Sequence, residues 1–384
     1  MRSSYLVFGQ PLIEQADIDE VVGSLTSGWL GTGPKVALFE QRVAAYMGVR
    51  HAVAVNSCTA GLHLACVVLG LQPGDEVILP ALTFCATANA VIHAGATPVL
   101  ADVEPDTFNL DLDDVRRKLT SRTKAIIPVH FAGRPCDMSA LQQLTREHDL
   151  HMIEDCAHAI EADYEGRRVG SFGTLGVLSF YSTKNVVTGE GGMVLTNSAE
   201  IAAKIKVMAL HGMSADAWKR FSDDGYKHYE VVEVGFKYNM MDLQAAIGMH
   251  QIERVEGSWQ KRQQIWTRYD EAFDDLPVSR PAAVAPRTRH ALHLYTLLIE
   301  TERAGMTRDD FILGLHRLNI GTGVHYRPIP VHPVYQTRYG WRPMDFPHAD
   351  RIGASTVSLP LSARLSDGDV EDVIAAVRTV LGRS

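Results

Sequence analysis

The sequence predicts an α/β protein with a mostly parallel sheet of about seven strands, followed by a small C-terminal α+β domain. Two observations support this fold class. Short apolar runs alternate with helix-like segments through the first half of the chain, a rhythm typical of buried parallel strands joined by crossover helices. After about Glu200 the pattern becomes mainly helical. We therefore expect a large α/β domain over residues 1–255 and a smaller domain over residues 256–384.

The individual elements follow from apolar periodicity and from turn and capping residues. The predicted strands of the sheet occupy residues 52–56, 76–80, 97–101, 125–129, 151–154, 177–181 and 193–196. The predicted helices of this part occupy residues 35–47, 59–69, 85–94, 112–119, 138–148 and 242–256. Beyond a linker at 277–290, we expect a strand at 292–300, a helix that begins near Thr307, a short run at 320–326 and a last helix after Ser366.

Composition excludes several classes of protein. The chain has 384 residues, 46% hydrophobic and 21% charged, which is ordinary for a globular protein. A net charge of −8 disfavours a nucleic-acid or anionic-membrane partner. No run has the length of a signal peptide core or a membrane span, so we expect a cytoplasmic protein. The cysteines are scattered without a CxxC pair, which favours reduced thiols and predicts no metal site.

One lysine lies in a polar turn between the last two predicted strands of the sheet. Lys184 has hydroxyl residues before it and the glycine-rich segment 189–192 after it. A lysine that is desolvated in such a turn loses its proton more easily, as a nucleophile that forms a Schiff base requires. The alternative is a surface hairpin whose lysine points into water.

Other candidate groups follow strand ends, where open α/β sheets bind their ligands. The strand at 52–56 leads into a helix whose first N–H groups, with the Thr59 hydroxyl, can hold a phosphate. The strand at 151–154 leads into Asp155, which either meets a cationic partner or caps the next turn. Phe84 follows a third strand, where it either stacks on a planar ring or belongs to the core.

Together these groups match the needs of one cofactor. A phosphate site, an amine that forms an imine, a carboxylate for a pyridinium and a stacking aromatic ring are what pyridoxal phosphate (PLP) requires. The turn before the helix at 59–69 is weak evidence for a phosphate site on its own, because many strand-to-helix turns bind nothing.

The motifs also resemble those of the DegT/StrS-type sugar aminotransferases. The resemblance spans nearly the whole chain and is carried by GWLGTGP, SCTAGLHL, LPALTFCATANAV, IIPVHFAGRPCDM, IEDCAHAI, SFYSTKNVVTGEGG, DLQAAIG and IGTGVHYRPI. It implies the fold of PLP-dependent transferases of type I, which is that of aspartate aminotransferase. It also implies PLP as cofactor and transfer of an amino group from glutamate, which becomes 2-oxoglutarate, to a nucleotide-linked keto sugar.

The resemblance also implies roles for single residues. Lys184 falls at the position of the lysine that carries PLP, and Asp155 at that of the partner of its ring nitrogen. The further implied cofactor contacts are Thr59, Ala60 and Ser179 to the phosphate, Phe84 on the ring face, His158 near the ring oxygen, and Lys237 and Asn239 across a dimer. The implied substrate contacts are Trp29, Thr32, His325 and Tyr326.

One position departs from the family pattern. Many members carry an asparagine where this chain has Lys237, and the asparagine here is Asn239. A lysine can serve a phosphate as a point charge, so the expected assembly remains a homodimer with shared sites. The segment at 237–239 and the motif at 210–218 look most like enzymes that aminate a UDP-linked 4-keto pentose.

Other functions remain open on the sequence. Acceptors carried on dTDP or GDP, 4-keto-6-deoxyhexoses and 3-keto sugars are alternatives to the UDP-linked pentose. A sugar dehydratase of the same fold is disfavoured, because those relatives have histidine where this chain has Lys184. A non-catalytic binding or regulatory protein would keep the fold without amine transfer. A nicotinamide-dependent oxidoreductase is disfavoured by the absence of GxGxxG after the first strand.

Overall fold

The computed structural model describes residues 2–214 and 229–382. In chain order, its strands are β1 (His51–Val55), β2 (Glu76–Pro80), β3 (Thr97–Ala101), β4 (Thr123–Ile126), β5 (His151–Asp155), β6 (Asp163–Tyr164), β7 (Arg167–Arg168), β8 (Leu175–Ser179), β9 (Gly192–Thr196), β10 (Thr288–Arg289), β11 (Tyr295–Leu298) and β12 (Thr356–Leu359). Seven of these strands form the central sheet, in the order β1-β9-β8-β5-β4-β2-β3.

Strand direction in the central sheet matches the sequence prediction. The run from β8 through β5, β4 and β2 to β3 is parallel throughout. Only β9 is reversed, pairing antiparallel with β1 on one side and β8 on the other. The predicted mostly parallel seven-stranded sheet is therefore confirmed. Each strand begins and ends within two residues of its predicted bounds except β4, which ends three residues earlier than predicted.

Helices cover the sheet and build the C-terminal part. In chain order, they are α1 (Gln15–Ser27), α2 (Pro34–Met47), α3 (Cys58–Val68), α4 (Cys85–His93), α5 (Leu112–Lys118), α6 (Met138–Glu147), α7 (Ala199–Ala209), α8 (Asp242–Glu253), α9 (Val255–Ala272), α10 (Thr301–Ala304), α11 (Arg308–Arg317), α12 (Pro333–Tyr339), α13 (Pro347–Ser355) and α14 (Asp367–Val380). The sequence patterns did not predict α1, and they merged the start of α9 into α8.

The C-terminal part has its own apolar core. β11 pairs antiparallel with β12, and α9, α11 and α14 supply buried residues that include Tyr269 and Phe311. The run predicted at 320–326 is not a strand, since it makes only isolated bridges at Ile320 and Gly323. The domain division at residue 255 stays a prediction. Among the described helices, none combines the length and the apolar character needed to cross a bilayer.

The sheet brings several strand ends to one edge. The carboxyl ends of β1 and β8 both lie beside the start of β9, where Val55 and Ser179 pair with Gly192. β5 and β2 run parallel to β8 and end at the same edge. A Cβ on Gly192 would lie 2.6 Å from the Ser57 carbonyl carbon, so glycine lets the turn after β1 pack tightly against β9.

Candidate active site

A cavity of about 460 Å³ opens at the carboxyl edge of the sheet. The predicted site residues that line it are Thr59, Phe84, Asp155, Ser179, Lys184, His325 and Tyr326. These residues come from both halves of the chain, as expected for a ligand site at the carboxyl ends of strands. Ala60 and His158 do not line it, although His158 contacts the lining residue Tyr326. The other predicted residues outside the lining are Trp29, Thr32, Lys237 and Asn239.

Lys184 projects from a tight turn after β8. Its backbone N–H donates to the Tyr181 carbonyl at 2.8 Å, and the Thr188 N–H donates to the Phe180 carbonyl at 2.8 Å. Burial lowers the pKa of the Lys184 amine from 10.5 to about 8, against the opposing charges of the Cys58 thiol and Asp155. Among the described residues, no ion pair holds this amine, so it is partly deprotonated near pH 8 and free to react.

Asp155 is the last residue of β5 and is buried. Its Oδ2 accepts the Thr87 hydroxyl at 2.9 Å and its Oδ1 accepts the Ala157 N–H at 3.1 Å. Burial raises the pKa of the carboxyl, and these two hydrogen bonds and the charge on Lys184 oppose that rise. A buried carboxylate with no ion pair among the described residues is suited to a cationic ligand.

Glu154, one residue earlier, is closed off from any ligand. Its carboxylate accepts four donors, which are the backbone N–H groups of Gly170, Phe172 and Gly173, each at 2.7 Å, and His130 Nε2 at 3.2 Å. One potential ligand atom from each of Glu154, His130 and Cys156 lies within 4.8 Å of the others, close enough for the three to hold a metal ion. Because N–H donors occupy the carboxylate, we interpret the group as a structural hydrogen-bond network.

A hydrogen bond with an assignable direction joins His158 to Tyr326 at the cavity wall. The Ala132 N–H donates to His158 Nδ1 at 3.2 Å, and burial holds the pKa of His158 well below its usual range. The ring is therefore neutral with its proton on Nε2, which donates to the Tyr326 hydroxyl oxygen 2.9 Å away. The hydroxyl proton of Tyr326 is thereby left for a ligand.

His325 and Phe84 complete the wall. His325 Nδ1 lies 2.8 Å from the Ser358 hydroxyl, and burial together with the charge on Lys184 lowers the pKa of His325 to about 3. Phe84 precedes α4, is 55% exposed and has its ring centroid 5.7 Å from that of Tyr326. An exposed aromatic side chain at a cavity mouth is available to stack on a planar ligand.

The first turn of α3 meets the cavity. Ser57, Cys58 and Thr59 line it, and the N-terminal end of a helix attracts anions through its free N–H groups and dipole. The Ala60 N–H already donates to Ser57 Oγ at 3.1 Å. The hydroxyl and backbone of Thr59 are thus better placed for a phosphate than the backbone of Ala60.

The predicted residues outside the cavity have partners of their own. The Thr32 hydroxyl donates to the Met240 carbonyl at 2.6 Å and accepts from Asn239 Nδ2 at 2.7 Å. Trp29 is 50% exposed and Lys237 is also exposed. None of these side chains lines the cavity that contains Lys184. Of the motif at 210–218, residues 215–218 lie outside the described residues.

The glycine-rich loop at 28–34 serves the fold at one position. The buried carboxylate of Asp242 accepts the backbone N–H groups of Gly33, Lys35 and Val36 at 2.8, 3.2 and 3.0 Å. A Cβ on Gly33 would lie 2.7 Å from this carboxylate. The close approach that glycine permits here is therefore to Asp242 rather than to a ligand.

Sequence reasoning missed several residues at the site. Thr87 contacts Asp155, Cys58 and Glu190 line the cavity, and the buried His293 ring lies 4.5 Å from that of His158. Thr87 had a usable signal, because it lies in the first turn of a helix that follows a strand end, where such sheets bind ligands. The position of His293 depends on a long-range contact that no local pattern predicts.

Comparisons with known proteins agree with this geometry. The sequence model of the DegT/DnrJ/EryC1/StrS aminotransferase family matches residues 11–378. The spore coat polysaccharide biosynthesis protein SpsC of Bacillus subtilis is 48% identical over 381 residues, covering 99% of this chain and 98% of SpsC.

Solved structures share the fold over nearly full length. The PLP form of Spr1654 from Streptococcus pneumoniae, a proposed sugar aminotransferase, has a TM-score of 0.91 at 32% identity, covering 98% of this chain and 99% of that one. PseC of Helicobacter pylori, an aminotransferase involved in the biosynthesis of pseudoaminic acid, has a TM-score of 0.91 at 28% identity, covering 99% and 100%.

The fold and site define a PLP-dependent transferase of fold type I. The chain belongs to the DegT/DnrJ/EryC1/StrS aminotransferase family, and it is a PLP-dependent sugar aminotransferase. The family and the cofactor predicted from the motifs are thereby confirmed. The cavity fits PLP on its own chemistry, because it combines a helix N-terminus with an amine and a buried carboxylate that have no ion pair within residues 2–214 and 229–382.

Proposed function

We propose that the protein transfers the amino group of glutamate to a nucleotide-linked keto sugar, with a UDP-linked 4-keto sugar as acceptor. The observation that carries the proposal is that Lys184, Asp155 and the start of α3 meet in one cavity. SpsC and PseC are named for the building of sugar products, one a polysaccharide and the other pseudoaminic acid. Their names support a sugar acceptor on a biosynthetic route.

The chemistry divides between cofactor and protein. PLP, when bound, supplies an electron-withdrawing ring to the carbon that loses a proton. Lys184 would hold the cofactor, and its amine would serve as the base that removes the proton from the donor Cα. An amine with a pKa near 8 suits this task, because a sizeable fraction is unprotonated at physiological pH.

Other side chains hold the cofactor in place. Asp155 keeps a proton on the ring nitrogen, which maintains the ring as an electron acceptor. Thr59 and Ser179 would bind the phosphate, and Phe84 would stack on the ring. The Tyr326 hydroxyl, fixed by His158, has its own proton to donate into the cavity.

The acceptor sugar is proposed to lie beyond the cofactor, against His325 and Tyr326. Both side chains line the cavity and come from the C-terminal part of the chain. Neutral His325 and Tyr326 offer hydrogen bonds to sugar hydroxyls without a charge that would need neutralising. The exposed Trp29 is a further candidate for a substrate contact, and the exposed Lys237 is the candidate for a contact to the cofactor phosphate of a second subunit.

Exposed apolar residues support the proposal of a homodimer with shared sites. Ile18, Val22 and Leu25 form a stripe on α1 with 48–55% exposure, at the spacing of one helix face. Two further apolar residues, Val232 and Val234, are 56% and 91% exposed and lie close to Lys237 in the sequence. Burying such a patch against a second copy is the ordinary reason for its presence.

The amine transfer is tested with ¹⁵N-labelled glutamate and a panel of acceptors. The panel contains a UDP-linked 4-keto pentose, dTDP- and GDP-linked 4-keto-6-deoxyhexoses and a 3-keto sugar nucleotide. Mass spectrometry should show ¹⁵N in the sugar product with the UDP-linked pentose and none with Lys184→Ala. A PLP-loaded protein that transfers nitrogen to no acceptor and releases no 2-oxoglutarate would support the non-catalytic alternative.

Shared sites are tested by mixing inactive subunits. Lys184→Ala removes the amine, and Lys237→Ala removes the proposed contact to the partner's cofactor. If each site draws on both chains, a hybrid dimer contains one intact site and recovers part of the activity. Lack of recovery after proven subunit exchange would mean that each chain builds its own site.

A further inference from the structure

Two threonine hydroxyls in series support the Asp155 carboxylate. Thr87 Oγ1 lies 2.9 Å from Asp155 Oδ2, and Thr83 Oγ1 lies 2.9 Å from Thr87 Oγ1. Both threonines are buried, at 2% exposure for Thr83 and 1% for Thr87. Thr87 is in the first turn of α4 and lines the cavity.

The hydrogen-bond direction follows from the protons available. An ionised carboxylate has none, so Thr87 must donate to Asp155. A hydroxyl has one proton, so Thr87 has none left for Thr83, and Thr83 must donate to Thr87. The Ala157 N–H donates to the other carboxylate oxygen of Asp155, Oδ1, at 3.1 Å. Each carboxylate oxygen thus has one protein donor and keeps a lone pair for a ligand.

We propose that Thr87 is a positioning residue for Asp155, whose hydroxyl orients the carboxylate in the cavity and keeps the shared proton on the PLP ring nitrogen. The inference rests on the role proposed for Asp155 above. A hydroxyl that donates to a carboxylate stabilises its charged form. Without this donor the carboxylate becomes more basic, so the proton shared with the ring nitrogen moves toward Asp155.

The burial of Asp155 makes this donor important. Burial raises the pKa of the carboxyl, and the hydrogen bonds from Ala157 and Thr87 are the largest opposing effects. The Ala157 bond comes from the backbone and cannot be removed by a side-chain change. Thr87 is therefore the one of these two donors that a substitution can test.

The test uses PLP labelled with ¹⁵N at the ring nitrogen and the chemical shift of that nitrogen near neutral pH. The variants are Thr87→Val, which keeps the shape and removes the hydroxyl, Thr87→Ser, which keeps the hydroxyl, and Thr83→Val, which removes only the outer donor. Thr87→Val should move the signal toward that of an unprotonated ring and slow the glutamate half reaction about tenfold, the effect of one lost charge-assisted hydrogen bond. Thr87→Ser should match the wild-type signal, and Thr83→Val should shift it less than Thr87→Val.

Asp155→Asn separates failure of this inference from failure of the role of Asp155. If Asp155→Asn leaves the ring signal unchanged, the carboxylate does not hold the ring proton and the role of Thr87 is overturned with it. If Asp155→Asn moves the signal and Thr87→Val does not, only the role of Thr87 is overturned. A Thr87→Ser protein that shifts as much as Thr87→Val would also contradict it. Should Thr87→Val fold poorly, Thr87→Ala is judged by the same criterion.

Discussion

Glu154 and Asp155 are adjacent carboxylates on one strand, and their surroundings differ in kind. Side chains alternate across a strand, so the two point to opposite faces of the sheet. Glu154 accepts four N–H donors and has no capacity for a ligand. Asp155 accepts two and faces the cavity that holds Lys184. Burial alone therefore does not mark a functional acid, whereas burial with unused acceptor capacity beside a cavity does.

The largest expected effect is on catalysis at Asp155. Asp155→Asn should slow both half reactions about 100-fold or more, since a charge that stabilises the reacting system is lost. The cofactor-free variant should unfold no more easily than the wild type. The reason is that burial raises the pKa of Asp155, so the folded state holds this proton to higher pH than the unfolded state does. The free energy of unfolding therefore falls as pH rises through that pKa, and the charged carboxylate destabilises the fold at neutral pH.

Stopped-flow measurement of each half reaction, together with urea unfolding of the cofactor-free protein, checks the Asp155→Asn prediction. Near-normal half reactions would show that the carboxylate has another task. A large loss of stability without a loss of rate would make Asp155 resemble Glu154 and remove the contrast between them.

Glu154→Gln should have the opposite effect to Asp155→Asn, with a loss of stability in place of a loss of catalytic rate. In the wild type, backbone N–H groups donate to both oxygens of the Glu154 carboxylate. The glutamine amide would turn its own N–H donors toward some of these N–H groups, so the free energy of unfolding should fall by about 3 kcal/mol. Glu40→Gln is the matched control, because Glu40 accepts one backbone N–H, from Ala54, and pairs with Lys206 at the surface. A Glu154→Gln protein as stable as Glu40→Gln would show that the network around Glu154 is not structural.

Lys184 provides a smaller effect with a defined pH dependence. Its pKa is about 8 in the folded protein and 10.5 in the reference state. Below pH 8 both states are protonated and burial of the charge destabilises the fold. Between the two pKa values the unfolded state binds more protons than the folded state, so the free energy of unfolding rises with pH. In cofactor-free protein, Lys184→Met should therefore raise the thermal midpoint near neutral pH, and the gain should shrink as pH rises toward 10.5.

Thermal unfolding at several pH values measures this gain. Lys261→Met, on the exposed surface of α9, is the control and should change the midpoint by the same small amount at each pH. A Lys184→Met gain that does not change with pH would mean that the amine is not held in a desolvating turn.

The smallest expected effect is at the sugar side of the cavity. Tyr326→Phe should slow the keto-sugar half reaction about tenfold, as loss of one hydrogen bond implies, and leave the glutamate half reaction nearly unchanged. Tyr335→Phe is the control, since that hydroxyl bonds Asn89 and is not part of the cavity wall. Equal losses in both half reactions would place Tyr326 against the cofactor instead of the sugar.

The sequence predicted the sheet well because its strands are short apolar runs bounded by turns. It also placed Lys184 and Asp155 at strand ends, where the structure has them. Local patterns did not reveal contacts between distant segments, such as Asp242 with Gly33 or Asn239 with Thr32. α1 was missed because it carries apolar residues on its exposed face, which weakens the pattern of a helix packed on a core.

The most direct test of the central claim is the identity of the lysine that carries PLP. Borohydride reduction of the loaded protein fixes the cofactor covalently to its attachment site, and peptide mapping by mass spectrometry then locates it. Our account predicts a label on Lys184, together with loss of labelling in Lys184→Ala. A label on another lysine, or undiminished labelling of Lys184→Ala, would contradict the assignment of this cavity as the active site.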